Sequence, residues 1–114
     1  MSKEIKTYTD DILRYAPYCR DHRDSLVYAA MGLCGESGEA SEIIKKYVYQ
    51  GHDLDVKHLA SELGDVLWYV TYAADILGLS LEDLMSINRE KLSKRYPEGV
   101  FDSQESRNRK EDDI

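Results

Sequence analysis

The feature that most constrains this chain is a pair of carboxylates three residues apart on each of two predicted helices, Glu36 with Glu39 and Glu62 with Asp65. An α-helix turns about 100° per residue, so Glu36 projects on the same side as a run of apolar or small residues. That side includes Ala29, Gly32, Ile43 and Tyr47, with Leu33, Ala40 and Ile44 close beside it. A carboxylate in an apolar stripe is destabilising unless something positive meets it, and no Lys or Arg shares the stripe. The sequence therefore predicts a bound metal ion at Glu36.

The rest of the chain also has the periodicity of helices, and strand signals are weak. We predict helices over about Tyr8 to Tyr15, Leu26 to Tyr49, Asp53 or Asp55 to Leu77, and Leu81 to Arg95. Asp24 or Ser25 is expected to cap the second helix. Residues 103–114 are polar and highly charged, so we expect a disordered tail after one helical domain over 1–102. The predicted fold class is all-α, a bundle of four to five helices.

The third predicted helix is apolar on most of its sides. One stripe holds Leu59, Leu63, Val66, Leu67, Val70 and Ala74, and the opposite side carries Trp68, Tyr69, Tyr72 and Ile76. A helix of this kind is surrounded by other helices, which a single small domain can hardly supply. We therefore expect an oligomer, a homodimer or homotetramer, whose subunits share helices at their interface.

Composition excludes several classes of function. The 114 residues include 22 acidic and 15 basic side chains, for a net charge of −7. This charge argues against binding to nucleic acid or to an anionic membrane, both of which require a basic face. The two cysteines form no Cys-x-x-Cys pair, the start lacks an apolar signal core, and no window approaches about 18 uninterrupted apolar residues. A cytoplasmic protein is the expectation.

The two carboxylate pairs suit a hard divalent cation. Mg²⁺ prefers near-octahedral coordination by oxygen atoms. Residues three apart on a helix are neighbours, so their two carboxylates can bind one ion. Two antiparallel helices would bring all four carboxylates around one cavity. A metal held there would bind polyphosphate oxygens, polarise phosphorus and activate a water molecule. A redox di-metal bundle is disfavoured, because neither helix carries the Glu-x-x-His pair of such proteins.

Glycines and aromatic residues surround these pairs. Glycine destabilises a helix interior by about 1 kcal/mol, so Gly32, Gly35, Gly38 and Gly64 predict close approach of another backbone or a ligand. Tyrosines and one tryptophan at helical spacing could stack on a base, although packing in the core or an interface is the commoner role. These residues are Tyr47, Trp68, Tyr69 and Tyr72.

The fourth helix adds a polar and cationic side. Asn88, Lys91 and Arg95 follow at spacings of three and four, so they share one face. Triphosphate oxygens need such cations, although an ordinary solvated surface explains the same spacing.

At these residues the sequence resembles the MazG-like, all-α nucleoside triphosphate pyrophosphohydrolases. The family's mark is Glu-x-x-Glu, a spacer and Glu-x-x-Asp, which is found here in segments 35–39 and 62–69. A third element fits at 88–97, and the likeness covers about Leu26 to Phe101. Each motif alone is weak, but three in order at helical spacing are fairly specific.

The resemblance implies cleavage between the α- and β-phosphates of a nucleoside triphosphate, giving a monophosphate and pyrophosphate. It implies that Glu36, Glu39, Glu62 and Asp65 bind Mg²⁺, and that Glu39 or Glu36 also orients the attacking water. A further set is implied to bind substrate: Lys91 and Arg95 at phosphate, and Asn88 at phosphate or sugar. Two other functions stay open, hydrolysis of a different pyrophosphate such as phosphoribosyl-ATP, and a non-catalytic helical binding or assembly module.

Overall fold

The computed structural model describes residues 2–109 and contains five helices in this range. They are α1 (Lys3–Leu13), α2 (His22–Tyr49), α3 (Val56–Ile76), α4 (Leu81–Arg95) and α5 (Ser103–Arg107). No strand occurs between residues 2 and 109, which confirms the all-α fold class. The chain forms two compact units, one ending at Ser80 and the other beginning at Leu81.

Aspartates begin the two central helices. The side chain of Asp21 accepts a hydrogen bond from the amide of Asp24 at 2.8 Å, which satisfies one of the free amides at the start of α2. The prediction of Asp24 or Ser25 as the cap was wrong, because the helix starts one turn earlier. Asp55 caps α3 as one of the two predicted candidates. Gly78, at a φ of 75°, ends α3 in the left-handed conformation that favours glycine.

In the first unit, α2 packs antiparallel on α3. Tyr28 of α2 contacts Tyr72, and Gly32, one turn later on α2, contacts Tyr69, which lies earlier on α3. α1 joins this pair through Trp68, whose indole N–H donates to the carbonyl of Ile12 at 3.1 Å. The buried positions of the unit are Ala29, Ala40, Thr71, Tyr72 and Ala74. This small core places the middle of α2 beside the first half of α3.

The apolar stripe predicted for α3 is buried only in part. Ala74 is 2% exposed, but Leu63 and Leu67 are 55% and 41% exposed, and Tyr72 from the opposite side is 5% exposed. Periodicity alone does not tell a side that faces the core from one that faces outward, because both are apolar on this helix. The expected oligomer, whose subunits would cover this outer side, stays a prediction.

The second unit consists of α4 and α5. The rings of Tyr96 and Phe101 pack with their centroids 5.4 Å apart in the connection between these helices. Asp102 caps α5 by accepting from the amide of Gln104 at 2.7 Å. Disorder was predicted from Ser103 onward, and this was wrong for Ser103–Arg107, because the cap allows a short helix. Residues 110–114 of that predicted tail lie outside the described residues.

Among the described residues, none of the five helices has the length and apolar character needed to cross a membrane.

Candidate metal centre

Three of the four predicted carboxylate ligands converge between α2 and α3. One carboxylate oxygen from each of Glu36, Glu62 and Asp65 lies within 4.8 Å of the other two. Glu36 comes from the middle of α2, and the other two occupy successive turns of α3. We call these three residues the carboxylate cluster. Glu36 and Glu62 are half-buried and Asp65 is exposed, so solvent reaches the carboxylate cluster from one side.

Crowding of like charges shapes the electrostatics of the carboxylate cluster. The pKa of Glu36 is raised, first by a hydrogen bond between its carboxyl and that of Glu62 and then by burial. The negative charges of Asp65, Glu62 and Glu39 raise it further. Every one of these contributions disfavours the ionised form of Glu36. A cation placed among the carboxylates would reverse the effect, because it would favour the ionised form of each.

The donor set fits a hard cation. Carboxylate oxygens are the ligands that Mg²⁺ prefers, and this ion is commonly held by one or two carboxylates together with substrate phosphates and waters. The carboxylate cluster supplies three such groups and leaves an open side for other oxygens. A basic side chain also lies beside these acids: Nε2 of His58 is 3.3 Å from Oε1 of Glu62.

Glu39, the fourth predicted ligand, lies outside the carboxylate cluster. It is exposed one turn after Glu36 on α2, although its charge still reaches Glu36. The structure therefore brings together three of the four carboxylates. A role for Glu39 as metal ligand or water-orienting base stays a prediction.

Gly32 allows the close helix contact beside the carboxylate cluster. A Cβ added to Gly32 would overlap the ring of Tyr69, so only glycine fits without movement. A group does approach this glycine closely, but it is the side chain of Tyr69 and not the backbone or ligand that was predicted. Gly35, Gly38 and Gly64 have open space beside them in the described part of the chain. A ligand or second subunit at those three glycines stays a prediction.

Four aromatic rings form the aromatic cluster next to these residues: Tyr28, Trp68, Tyr69 and Tyr72. The rings of Trp68 and Tyr72 stack at 5.2 Å, and the ring of Tyr28 lies 6.0 Å from those of both Tyr69 and Tyr72. Their mutual packing gives Trp68, Tyr69 and Tyr72 a structural role, which was the commoner alternative at the sequence level. Tyr47 is separate and 49% exposed, and base stacking there stays a prediction.

Two residues of this region, Tyr28 and Tyr8, were not predicted from the sequence. Tyr28 lies four residues before Gly32 and eight before Glu36, so helical spacing alone could have placed it on the same face of α2. Tyr8 of α1 borders the carboxylate cluster. Burial is the main cause of its raised pKa, the charge of Asp65 adds to the rise, and a hydrogen bond with Thr71 opposes it. Nothing in the sequence around Tyr8 signals this proximity.

The predicted substrate-binding residues lie on α4 in the second unit. Asn88 is exposed, whereas Lys91 and Arg95 are half-buried. They share one face of α4, as their spacing predicts. Their role toward phosphate stays a prediction.

Comparison with known proteins places this arrangement in a family. The profile of the MazG nucleotide pyrophosphohydrolase domain matches residues 27–100, and this range includes all seven predicted site residues. The chain belongs to the MazG family. The resemblance predicted from the three motifs is thereby confirmed. MazG domains are pyrophosphohydrolases, so the chain is a member of a hydrolase family.

Two relatives show how far the likeness extends. The chain is 36% identical over 85 residues to the gene 37 protein of Mycobacterium phage L5, covering 71% of this chain and 75% of the phage protein. It is 34% identical over 73 residues to YvdC, an uncharacterized protein of Bacillus subtilis (strain 168), covering 56% of this chain and 69% of that protein. No solved structure matches the chain significantly.

Proposed function

We propose that this protein is a Mg²⁺-dependent nucleoside triphosphate pyrophosphohydrolase that converts a (d)NTP and water to a (d)NMP and pyrophosphate. The observation that carries the proposal is the convergence of Glu36, Glu62 and Asp65 within 4.8 Å of one another in a chain of the MazG family. These carboxylates come from two different helices, so the fold itself holds the like charges together. A divalent cation is the simplest partner for such a group.

In this proposal Glu36, Glu62 and Asp65 hold Mg²⁺, and Glu39 is the fourth ligand. When bound, Mg²⁺ would neutralise charge on the phosphate oxygens and make phosphorus more susceptible to attack by water. Water forms a new bond to phosphorus as the bond to the α–β bridging oxygen breaks, and pyrophosphate leaves. Glu39 would also orient this water and accept its proton, because it is exposed one turn from Glu36 and its charge reaches that carboxylate.

The chain's other residues would contribute position and charge. Lys91 and Arg95 would bind phosphate oxygens, and Asn88 would bind phosphate or sugar. No covalent intermediate is required, because positioning and electrostatic stabilisation account for most catalysis of phosphoryl transfer. We also propose a homodimer or homotetramer, supported by large apolar side chains such as Val48, Leu63 and Leu67 that lie exposed in a single chain.

The test is a nucleotide panel with identification of the products. The protein is incubated with Mg²⁺ and with each ribo- and deoxyribonucleoside triphosphate or phosphoribosyl-ATP, and ³¹P NMR distinguishes pyrophosphate from orthophosphate. Pyrophosphate and a monophosphate are expected, and Asp65→Asn should remove the activity. Glu42→Gln is the matched control, because Glu42 lies on α2 but pairs with Lys45 at 2.9 Å and is not part of the carboxylate cluster.

Other outcomes of the panel separate the alternatives. Orthophosphate as the only product would contradict cleavage of the α–β bond. Turnover of phosphoribosyl-ATP alone would show that the substrate is not a (d)NTP, although the bond cleaved would be of the same kind. If the protein binds Mg²⁺ but turns over no substrate, the proposed enzymatic activity is contradicted and a non-catalytic helical assembly module is favoured.

A further inference from the structure

We propose that His58 is a positioning residue for the metal centre, acting through Glu62. The proposal rests on the proposed function, because it requires that Glu62 binds Mg²⁺. His58 lies one turn before Glu62 on α3, and its Nε2 is 3.3 Å from Oε1 of Glu62. This distance is at the outer edge of hydrogen-bond range.

The helix cap and the helical spacing together place His58 beside Glu62. Its backbone amide donates to Oδ1 of Asp55 at 3.0 Å, so the cap of α3 determines where the first turn begins. From that turn, the spacing of four residues puts the imidazole on the same face as Glu62. Asp55 therefore serves as the helix cap and His58 alone faces Glu62.

The contact matters because Glu62 is a long side chain that must be held in one conformation. Its side chain is 14% exposed and that of His58 is 55% exposed, so the contact joins a largely sheltered carboxylate to a solvent-facing imidazole. Carboxylates that bind metals are commonly held by outer hydrogen bonds, and their loss typically weakens metal binding about 10- to 100-fold. An exposed partner is screened by solvent, so we expect about a 3- to 10-fold effect here.

The test measures the dissociation constant of Mg²⁺ alone by calorimetry in three proteins. His58→Leu removes the N–H donor while retaining an apolar group of similar size. His58→Gln keeps an N–H donor of similar reach. His52→Leu is the matched control, because His52 is exposed in the loop between α2 and α3. Thermal unfolding without metal is recorded for each variant, so that loss of fold is distinguished from loss of metal binding.

We expect His58→Leu to weaken Mg²⁺ binding about 3- to 10-fold. His58→Gln and His52→Leu should stay within about 2-fold of wild type, and all metal-free melting temperatures should be similar. Wild-type affinity in His58→Leu would overturn the inference. An equal loss in His58→Gln and His58→Leu would also overturn it, because a donor at that position would then not suffice. No Mg²⁺ binding by the wild type would instead overturn the proposed function together with this inference.

Discussion

The contact between α2 and α3 has two unlike segments. In one segment the aromatic cluster packs ring on ring, and Gly32 lets the ring of Tyr69 lie directly against the backbone of α2. In the next segment the same helices bring together Glu36, Glu62 and Asp65, whose charges repel. The aromatic segment stabilises the helix pair, and the acidic segment opposes it in the absence of a cation.

This difference shows how a small aromatic core can hold mutually repelling carboxylates together. Tyr69 lies four residues after Asp65, and Gly32 lies four residues before Glu36, so each aromatic contact is one turn from a carboxylate. The contact at Gly32 therefore fixes the separation of the helices where the acids meet. Changes in the aromatic segment should alter stability first, whereas changes in the acidic segment should alter activity first.

The largest expected effect is on activity. We expect Glu39→Gln to abolish hydrolysis while helical content, measured by circular dichroism, stays nearly unchanged. Glu39 is exposed, so its neutral analogue perturbs no packing. Glu42→Gln, one turn further along α2, should retain wild-type rates. Wild-type turnover in Glu39→Gln would remove Glu39 from the site and leave the three-residue carboxylate cluster as the whole acidic contribution.

A large effect on stability is expected at Gly32. In Gly32→Ala the new Cβ would overlap the ring of Tyr69, which its aromatic neighbours hold in place. Overpacking should outweigh the gain in helix propensity, so denaturant unfolding should show a net loss of about 1–2 kcal/mol. Gly35→Ala has open space and should stabilise by up to about 1 kcal/mol. A loss in Gly35→Ala as large as that in Gly32→Ala would show that another molecule packs on this face.

A smaller loss of stability is expected at the junction with α1. Trp68→Phe removes the indole N–H that donates to the carbonyl of Ile12 at 3.1 Å. The lost hydrogen bond and reduced ring area should lower the unfolding free energy by about 1–2 kcal/mol. Tyr49→Phe, at an 83% exposed ring, should change it little. An unchanged unfolding free energy in Trp68→Phe would contradict a stabilising role for this contact.

The smallest expected effect is a gain in unfolding free energy, in contrast to the losses expected at Gly32 and Trp68. Because the pKa of Glu36 is raised in the folded state, the folded protein binds this proton more tightly than the unfolded chain. The unfolding free energy of the metal-free protein should therefore rise as pH falls from neutral toward the raised pKa. Glu36→Gln imitates the protonated form and should stabilise the metal-free protein at pH 7 by less than about 1 kcal/mol, since solvent screens the charges.

The measurement is thermal unfolding in EDTA at several pH values. The gain in Glu36→Gln should shrink as pH is lowered, because the wild-type carboxyl then becomes protonated as well. Glu42→Gln, which loses its pairing with Lys45, should show no gain. Destabilisation in Glu36→Gln at pH 7 would contradict mutual repulsion in the acidic segment.

The sequence predicted where α3 and α4 end better than where α1 and α2 begin or which face of α3 is buried. The ends of α3 near Gly78 and of α4 before Pro97 follow from backbone rules that act locally. The buried side of α3 was not determined, because both sides of the helix carry large apolar or aromatic side chains and only tertiary packing buries Tyr72 and exposes Leu63. By contrast, the three-residue spacing on each helix did predict that the carboxylates of Glu36, Glu62 and Asp65 would lie together. It did not show that Glu39 lies outside the carboxylate cluster, since this depends on how α2 is rotated against α3.

The central claim is that a divalent cation lies among the carboxylates of Glu36, Glu62 and Asp65. The most direct measurement is an anomalous difference map from crystals grown with Mn²⁺ in place of Mg²⁺. We expect a peak within coordination distance of all three residues, and its loss in crystals of Asp65→Asn. A peak bound elsewhere, or none near these carboxylates at saturating Mn²⁺, would contradict it.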